Sequence, residues 1–150
     1  MSPACHIRPR FEHKLRLLGA AMVLAGGCSI FTPTQIELPV GAVPIVAPAT
    51  YQAWFEKTEQ CSGLRASYQS ISWYVVPDAA TFETSAGPKV GMWEKSGSVT
   101  RIVIAGRYAD HEMVVRHEML HDILDREGHP PEYFVDRCHL TWDSWGNGVS

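Results

Sequence analysis

Residues 110–128, DHEMVVRHEMLHDILDREG, contain His117-Glu118-Met119-Leu120-His121, an H-E-x-x-H arrangement that constrains the chain more than any other stretch. On an α-helix, side chains four apart lie one above the other, so His117 and His121 can aim two imidazole nitrogens at one point. Glu118, about 100° further round, points beside it. Met113 and Leu124 fall within about 40° of His117 and Leu120 within about 60° at 3.6 residues per turn, so the histidine stripe borders a core-facing stripe. Asp110 is the expected N-cap, and Gly128 followed by Pro130 and Pro131 is the expected stop. The histidines then belong to a bounded, partly buried helix.

Such a pair suits zinc, which accepts neutral imidazole and, in catalytic sites, takes three protein ligands and leaves a fourth position for water. The metal's charge lowers the water's pKa, and a neighbouring carboxylate, here Glu118, can accept its proton. Hydrolysis is the chemistry implied. The alternative is an ordinary exposed helix face, against which stand the apolar stripe and the strand-like run VTRIVIA at 99–105 just upstream.

Strand, short connection and metal helix in this order resemble the zincin-type metallopeptidases, in which a small sheet packs on the H-E-x-x-H helix. The resemblance covers residues 71–129 in element order and is specific at the motif. It implies an α+β fold with two main helices on a small, mostly antiparallel sheet. In zincins the strand before the last strand preceding the helix is typically the sheet's edge and pairs with an extended substrate through backbone hydrogen bonds; Val90, Gly91, Met92 and Trp93 match that segment. The activity implied is zinc-dependent hydrolysis of a peptide or protein substrate. Tyr108 and Tyr133 are candidates to donate a hydrogen bond to the developing oxyanion, as tyrosines do in several zincins, with ordinary packing as the other reading.

Two histidines do not complete a catalytic zinc site. His129, just after the expected stop, can be presented if the chain turns back at Gly128, and Pro130 biases it to an extended backbone. A glycine turn followed by a third histidine resembles metzincin logic, but Leu124 and Glu127 stand where that family has Gly and His, so the chain is not assigned there. Asp125 lies a further turn along the same face and more readily supports His121 as a carboxylate behind the ligand. Glu132, by analogy with the downstream Glu of gluzincins, and His139 are further candidates. His111, far round the wheel from His117, reads as a surface residue at the helix start.

The 150 residues suffice for one domain. At the N-terminus, Arg8, Arg10, Lys14 and Arg16 precede a short apolar run at 15–27, which reads as an export signal over 1–27. It ends in small residues before Cys28 and resembles the lipobox of bacterial lipoproteins; an ordinary secretory signal is the alternative. The resemblance implies a lipid on Cys28 that anchors the protein to a membrane of the cell envelope, and Ser29 after it implies outer-membrane sorting in a diderm bacterium. Without residues 1–27 the 13 basic and 16 acidic residues fall to 9 and 15, a formal charge of about −6 that argues against nucleic acid as a partner. Residues 28–49 hold four prolines and read as a tether, with an edge strand within 36–46 as the alternative. The domain then covers 50–150. Within it Thr50 can cap a helix over 51–66 ended near Gly63, 71–76 is a strand, 79–88 is loop, and 89–95 is a strand turned by Ser96-Gly97-Ser98 into 99–105. Residues 131–138 form a turn or two of helix, and 139–150 lie on the surface.

Of four cysteines, Cys5 leaves with the signal and Cys28 carries the lipid. In an oxidising compartment Cys61 and Cys138 are the natural disulfide; zinc ligation by cysteine is the weaker reading, since neither has a C-x-x-C partner. A non-catalytic metal-binding lipoprotein that recognises a partner remains the rival to a peptidase, and Glu118 separates them, because a structural site has no need of a carboxylate there.

Overall fold

The β-branched run Val99–Ala105 forms the strand around which the sheet is built in the computed structural model, which describes residues 37–147. In chain order the elements are β1 (Val43–Pro44), α1 (Ala49–Ser62), β2 (Ile71–Val76), β3 (Phe82–Thr84), β4 (Gly87–Lys89), β5 (Gly91–Ser96), β6 (Val99–Ala105) and α2 (Glu112–Leu124), followed by one π-helical turn, Glu132–Arg137. Segment 1–27, Cys28 and the start of segment 28–49 lie outside the described residues. Among the described residues no helix is long and apolar enough to cross a membrane.

The main sheet has the order β1-β2-β6-β5. Alternation along β6 sends Ile102 and Ile104 into a core shared with both helices, and Val103 and Ala105 into a second cluster under Phe82. The fold is mixed α+β. The expected antiparallel pairing holds for β1–β2 and β5–β6, but the central pair β2–β6 runs parallel, from Ile71↔Thr100 to Val76↔Ala105. Parallel neighbours need a long crossover, and residues 77–98 supply it.

Within that crossover the composition of 79–88 suggests loop. Instead Phe82–Thr84 and Gly87–Lys89 form a hairpin, with Phe82 buried against Val103 and Ala105. The proline-rich segment also departs from a pure tether. Val43–Pro44 pairs with Val75 and Tyr74, while Leu38 and Ala42 pack on the second cluster, so the edge-strand reading is correct for this part.

Helix α1 buries Tyr51, Phe55, Thr58 and Ser62 along one face and ends at Gly63, which takes φ 76° as a left-handed cap. The π-helical turn inserts Phe134, only 1% exposed, into the main core. Cys61 and Cys138 form a disulfide with Cα atoms 5.2 Å apart, and Arg137 donates to the Ser62 carbonyl at 3.1 Å beside it. These links fasten the end of α1 to the turn carrying Phe134. Closure of a loop with sequence separation 77 should contribute on the order of 3–4 kcal/mol. A Cys61→Ala/Cys138→Ala variant is therefore expected to unfold at clearly lower urea concentration than the oxidised parent, and coincident urea curves would show that the bridge adds nothing.

Candidate metal centre

Helix α2 starts at Glu112, with His111 rather than Asp110 in the capping position, and ends at Leu124, earlier than the Gly128 stop expected from the sequence. Asp125 ends it by taking a left-handed backbone, φ 51° and ψ 47°, which the short polar Asp tolerates better than most residues. The Arg126 N–H then reaches back to the His121 carbonyl at 3.2 Å, and His121 Nδ1 donates to the Arg126 carbonyl at 2.8 Å. The chain reverses within one turn of His121. Residues 126–129 can therefore carry His129 back over the helix, which a stop at Gly128 would have made difficult.

The imidazoles of His117, His121 and His129 converge. His129 Nε2 lies 2.9 Å from His117 Nε2 and 3.2 Å from His121 Nε2, and ligand atoms of all three lie within 4.8 Å of one another. His117 Nδ1 contacts the Leu140 carbonyl at 2.6 Å. A carbonyl can only accept, so Nδ1 of both His117 and His121 carries the proton and each Nε2 presents a bare lone pair to the cluster. A proton on His129 Nε2 could satisfy one of them at a time. The other lone pair then lacks a donor, which is the arrangement a cation resolves. The separations of His129 Nε2 from His117 Nε2 and His121 Nε2 are also close to the ~3.3 Å that tetrahedral ligation with bonds of about 2.0–2.1 Å requires. Three histidines here can hold a metal ion. Phe134 lies under them, its ring 4.8–4.9 Å from each imidazole.

Burial keeps the imidazoles neutral. It lowers the pKa of His117 and of His121 to about 4, against the upward pull of their carbonyl bonds, and lowers that of His129, with Lys89 acting in the same direction. Neutral imidazole is the form a metal takes.

Glu118, 7% exposed, stands beside this cluster. Burial raises its pKa to about 8, opposed by the positive charge of Lys89 and by a hydrogen bond from the Trp93 backbone N–H. Space for the carboxylate comes from Gly91, where an added Cβ would lie 2.5 Å from Glu118 Oε1 and 2.9 Å from its Cγ. Position 91 needs glycine for this close approach rather than for a turn. Next along the helix, buried Asp122 accepts from Thr100 Oγ1 at 2.9 Å and, more weakly, from Trp93 Nε1 at 3.4 Å, tying α2 to β6 and β5. The Trp93 ring stacks on His121 with centroids 6.0 Å apart.

His117, Glu118, His121 and His129 line an open cleft of about 1060 Å³, together with the whole Val90, Gly91, Met92, Trp93 segment, the β3–β4 hairpin and Trp142. The edge position expected for that segment is correct, since β5 ends the sheet order. The other ligand candidates are elsewhere. Asp125 pairs with Lys95 at 2.8 Å, Glu132 pairs with Arg137 at 2.7 Å, and His139, with φ 52°, has a buried Nδ1 without a partner and stands outside the cluster. Neither Tyr108 nor Tyr133 lines the cleft. Tyr108 packs with His111 and Trp142, and Arg137 lies over the Tyr133 ring. His111 is accordingly half-buried among aromatic rings rather than a surface residue.

Sequence reasoning missed Leu140, Asp122 and Lys89, and placed Gly91 on the edge strand without its role opposite Glu118. A backbone carbonyl has no residue signature, so Leu140 offered no signal. Gly91 offered one, being a glycine inside a strand pattern, which marks a bulge or a close approach. In comparison with known proteins, no family model matches the chain, and no curated protein or solved structure matches it.

The converging imidazoles and the Gly91 contact can each be tested by substitution. His129→Ala should weaken zinc binding by at least tenfold, measured by competition with a chromophoric chelator, whereas Asp125→Ala and Glu132→Ala should bind like the parent; unchanged affinity in His129→Ala would remove it from the centre. Gly91→Ala should cost on the order of 1–3 kcal/mol by overpacking. That cost should shrink when Glu118 is also alanine, because the clash is then gone. Equal costs of Gly91→Ala in the two backgrounds would mean the residues do not compete for space.

Proposed function

We propose that the protein is a zinc-dependent peptide hydrolase of the zincin type, working at the cell envelope on a lipid anchor at Cys28. The observation that carries this reading is Glu118, a buried carboxyl held beside three converging neutral imidazoles and facing an open cleft. His117, His121 and His129 are the residues that would hold the ion, and an all-imidazole set suits zinc. When bound, zinc supplies Lewis acidity to the scissile carbonyl and makes water a stronger acid.

The remaining steps belong to the chain itself. Nδ1 bonds to the Leu140 and Arg126 carbonyls orient His117 and His121 and increase their basicity as ligands. Glu118 accepts a proton from the attacking water and passes it to the leaving amine. Burial raises its pKa to about 8 even with the positive charge of Lys89 acting on it, so the carboxyl alone is protonated at neutral pH. A positive charge beside it favours the ionised base. The outer edge of β5, apart from the Trp93 N–H that Glu118 engages, would hold the substrate in extended form, with antiparallel pairing the more stable choice.

A non-catalytic metal site needs neither a buried acid at position 118 nor a glycine opposite to accommodate it. Glu118→Gln should keep one zinc per chain, measured by elemental analysis, and lose hydrolysis of a peptide library by a factor of at least about 100. Turnover equal to that of the parent would exclude Glu118 as the proton acceptor.

A further inference from the structure

Lys89 is the one Lys or Arg among the described residues that line the cleft, where Glu37, Glu83, Glu94 and Glu127 are also found. Its backbone is set by pairing with Phe82, itself buried under the sheet, so the lysine is carried on a fixed hairpin at the mouth of the site. No described carboxylate forms an ion pair with it, unlike Lys57, Arg65, Lys95, Arg116 and Arg137. It acts electrostatically on His117, Glu118, His121 and His129 alike. A cation beside a metal centre of neutral ligands opposes metal binding, and so makes physical sense where an anion comes to lie between them.

Direction is set by the topology. β5 runs from Gly91 to Ser96, with Val90 and Lys89 just before it. A peptide paired antiparallel to this edge points its C-terminal end back toward Val90 and Lys89.

We propose that Lys89 is a specificity-determining residue that binds a carboxylate on the C-terminal side of the scissile bond, so that the preferred substrates are peptides carrying a negative charge there. The proposal rests on the peptidase reading for the substrate's orientation. A free C-terminus and an Asp or Glu side chain offer the same chemistry. Lys89 donates to the carboxylate and fixes how far the peptide slides along β5, while the cleft's own carboxylates repel the charge from other positions.

The test is binding to the full chain carrying Glu118→Gln and loaded with zinc, by calorimetry, of three probes: acetyl-tetraalanine as the free acid, its C-terminal amide, and an amidated peptide with one internal Asp. At least one carboxylate probe should bind about tenfold tighter than the neutral amide, as expected for a charge-assisted hydrogen bond. Which one does so identifies the source. Lys89→Gln should bring that probe down to the amide's affinity and leave the amide's unchanged, and Lys89→Arg should restore most of the preference. Equal binding of all three probes by the Glu118→Gln chain, or a carboxylate preference that survives Lys89→Gln, overturns the assignment; so does loss of amide binding or of zinc in Lys89→Gln, which would make the lysine structural. Hydrolysis by the chain with Glu118 intact is scored separately. Carboxylate preference without hydrolysis would sink the peptidase reading alone, and hydrolysis without preference would sink the Lys89 assignment alone.

Discussion

The left-handed turn at Asp125 is the constraint on which the cleft depends. A helix that continued past Leu124 would carry the chain away along its axis, about 1.5 Å per residue. Residue 129 would then lie well beyond His121 instead of over it. Because α2 stops one turn after His121, the Arg126 backbone serves twice, its N–H closing the helix end and its carbonyl orienting the His121 ring. The Lys95–Asp125 ion pair lies on the same turn, but both side chains are substantially exposed, and a pair of this kind contributes little by itself. The turn is secured instead by the reciprocal bonding of residues 121 and 126, together with the burial of the helix preceding it.

A second set of restraints comes from the far end of the chain. Leu140 is fully buried and its carbonyl accepts a hydrogen bond from His117 Nδ1, while Phe134 fills the space beneath all three imidazoles. Phe134 sits in the π-helical turn and Leu140 just beyond it, and Cys138 fastens this stretch to α1. The disulfide includes none of the three clustered histidines yet holds the segment that supplies the cluster's floor and one of its orienting groups. Asp122 does the corresponding work on the sheet side, bonding to Thr100 and Trp93. The helix is tied to the sheet and to the C-terminal segment at neighbouring positions, so its histidine face has little freedom to rotate.

Legibility in the sequence depended on the kind of signal each feature carries. His117, Glu118 and His121 could be placed on one helix because periodicity and spacing are properties of side-chain identity, and His129 could be paired with them because a proline at position 130 restricts the backbone of the residue before it. The end of α2 lies earlier than the sequence rule places it, since that rule favours glycine and Asp125 took the left-handed position instead. Parallel pairing of β2 with β6 could not be read, because either strand alone looks the same in both directions. The β3–β4 hairpin escaped notice for a different reason: strands of three residues containing Pro88 and Gly87 have a loop's composition, and a hairpin that short persists because Phe82 is buried in tertiary contact. The Cys61–Cys138 pairing was accessible by elimination, given an oxidising compartment.

Stability and chemistry are linked at the cleft. Three imidazoles that meet through their Nε2 atoms and a buried carboxyl beside them are each unfavourable arrangements for a chain folding alone. Their pKa shifts all favour neutral forms, so the fold tolerates the cluster by suppressing its charge. A bound cation reverses the balance, giving the lone pairs a partner and stabilising an ionised Glu118. Binding energy of that kind adds to folding energy whenever the site does not exist in the unfolded chain. Polar groups arranged at a local cost, and held there by a disulfide, a left-handed turn and a buried aspartate, are the requirement for a preorganised site, because the cost of assembling them is offset by the rest of the fold before any ligand arrives.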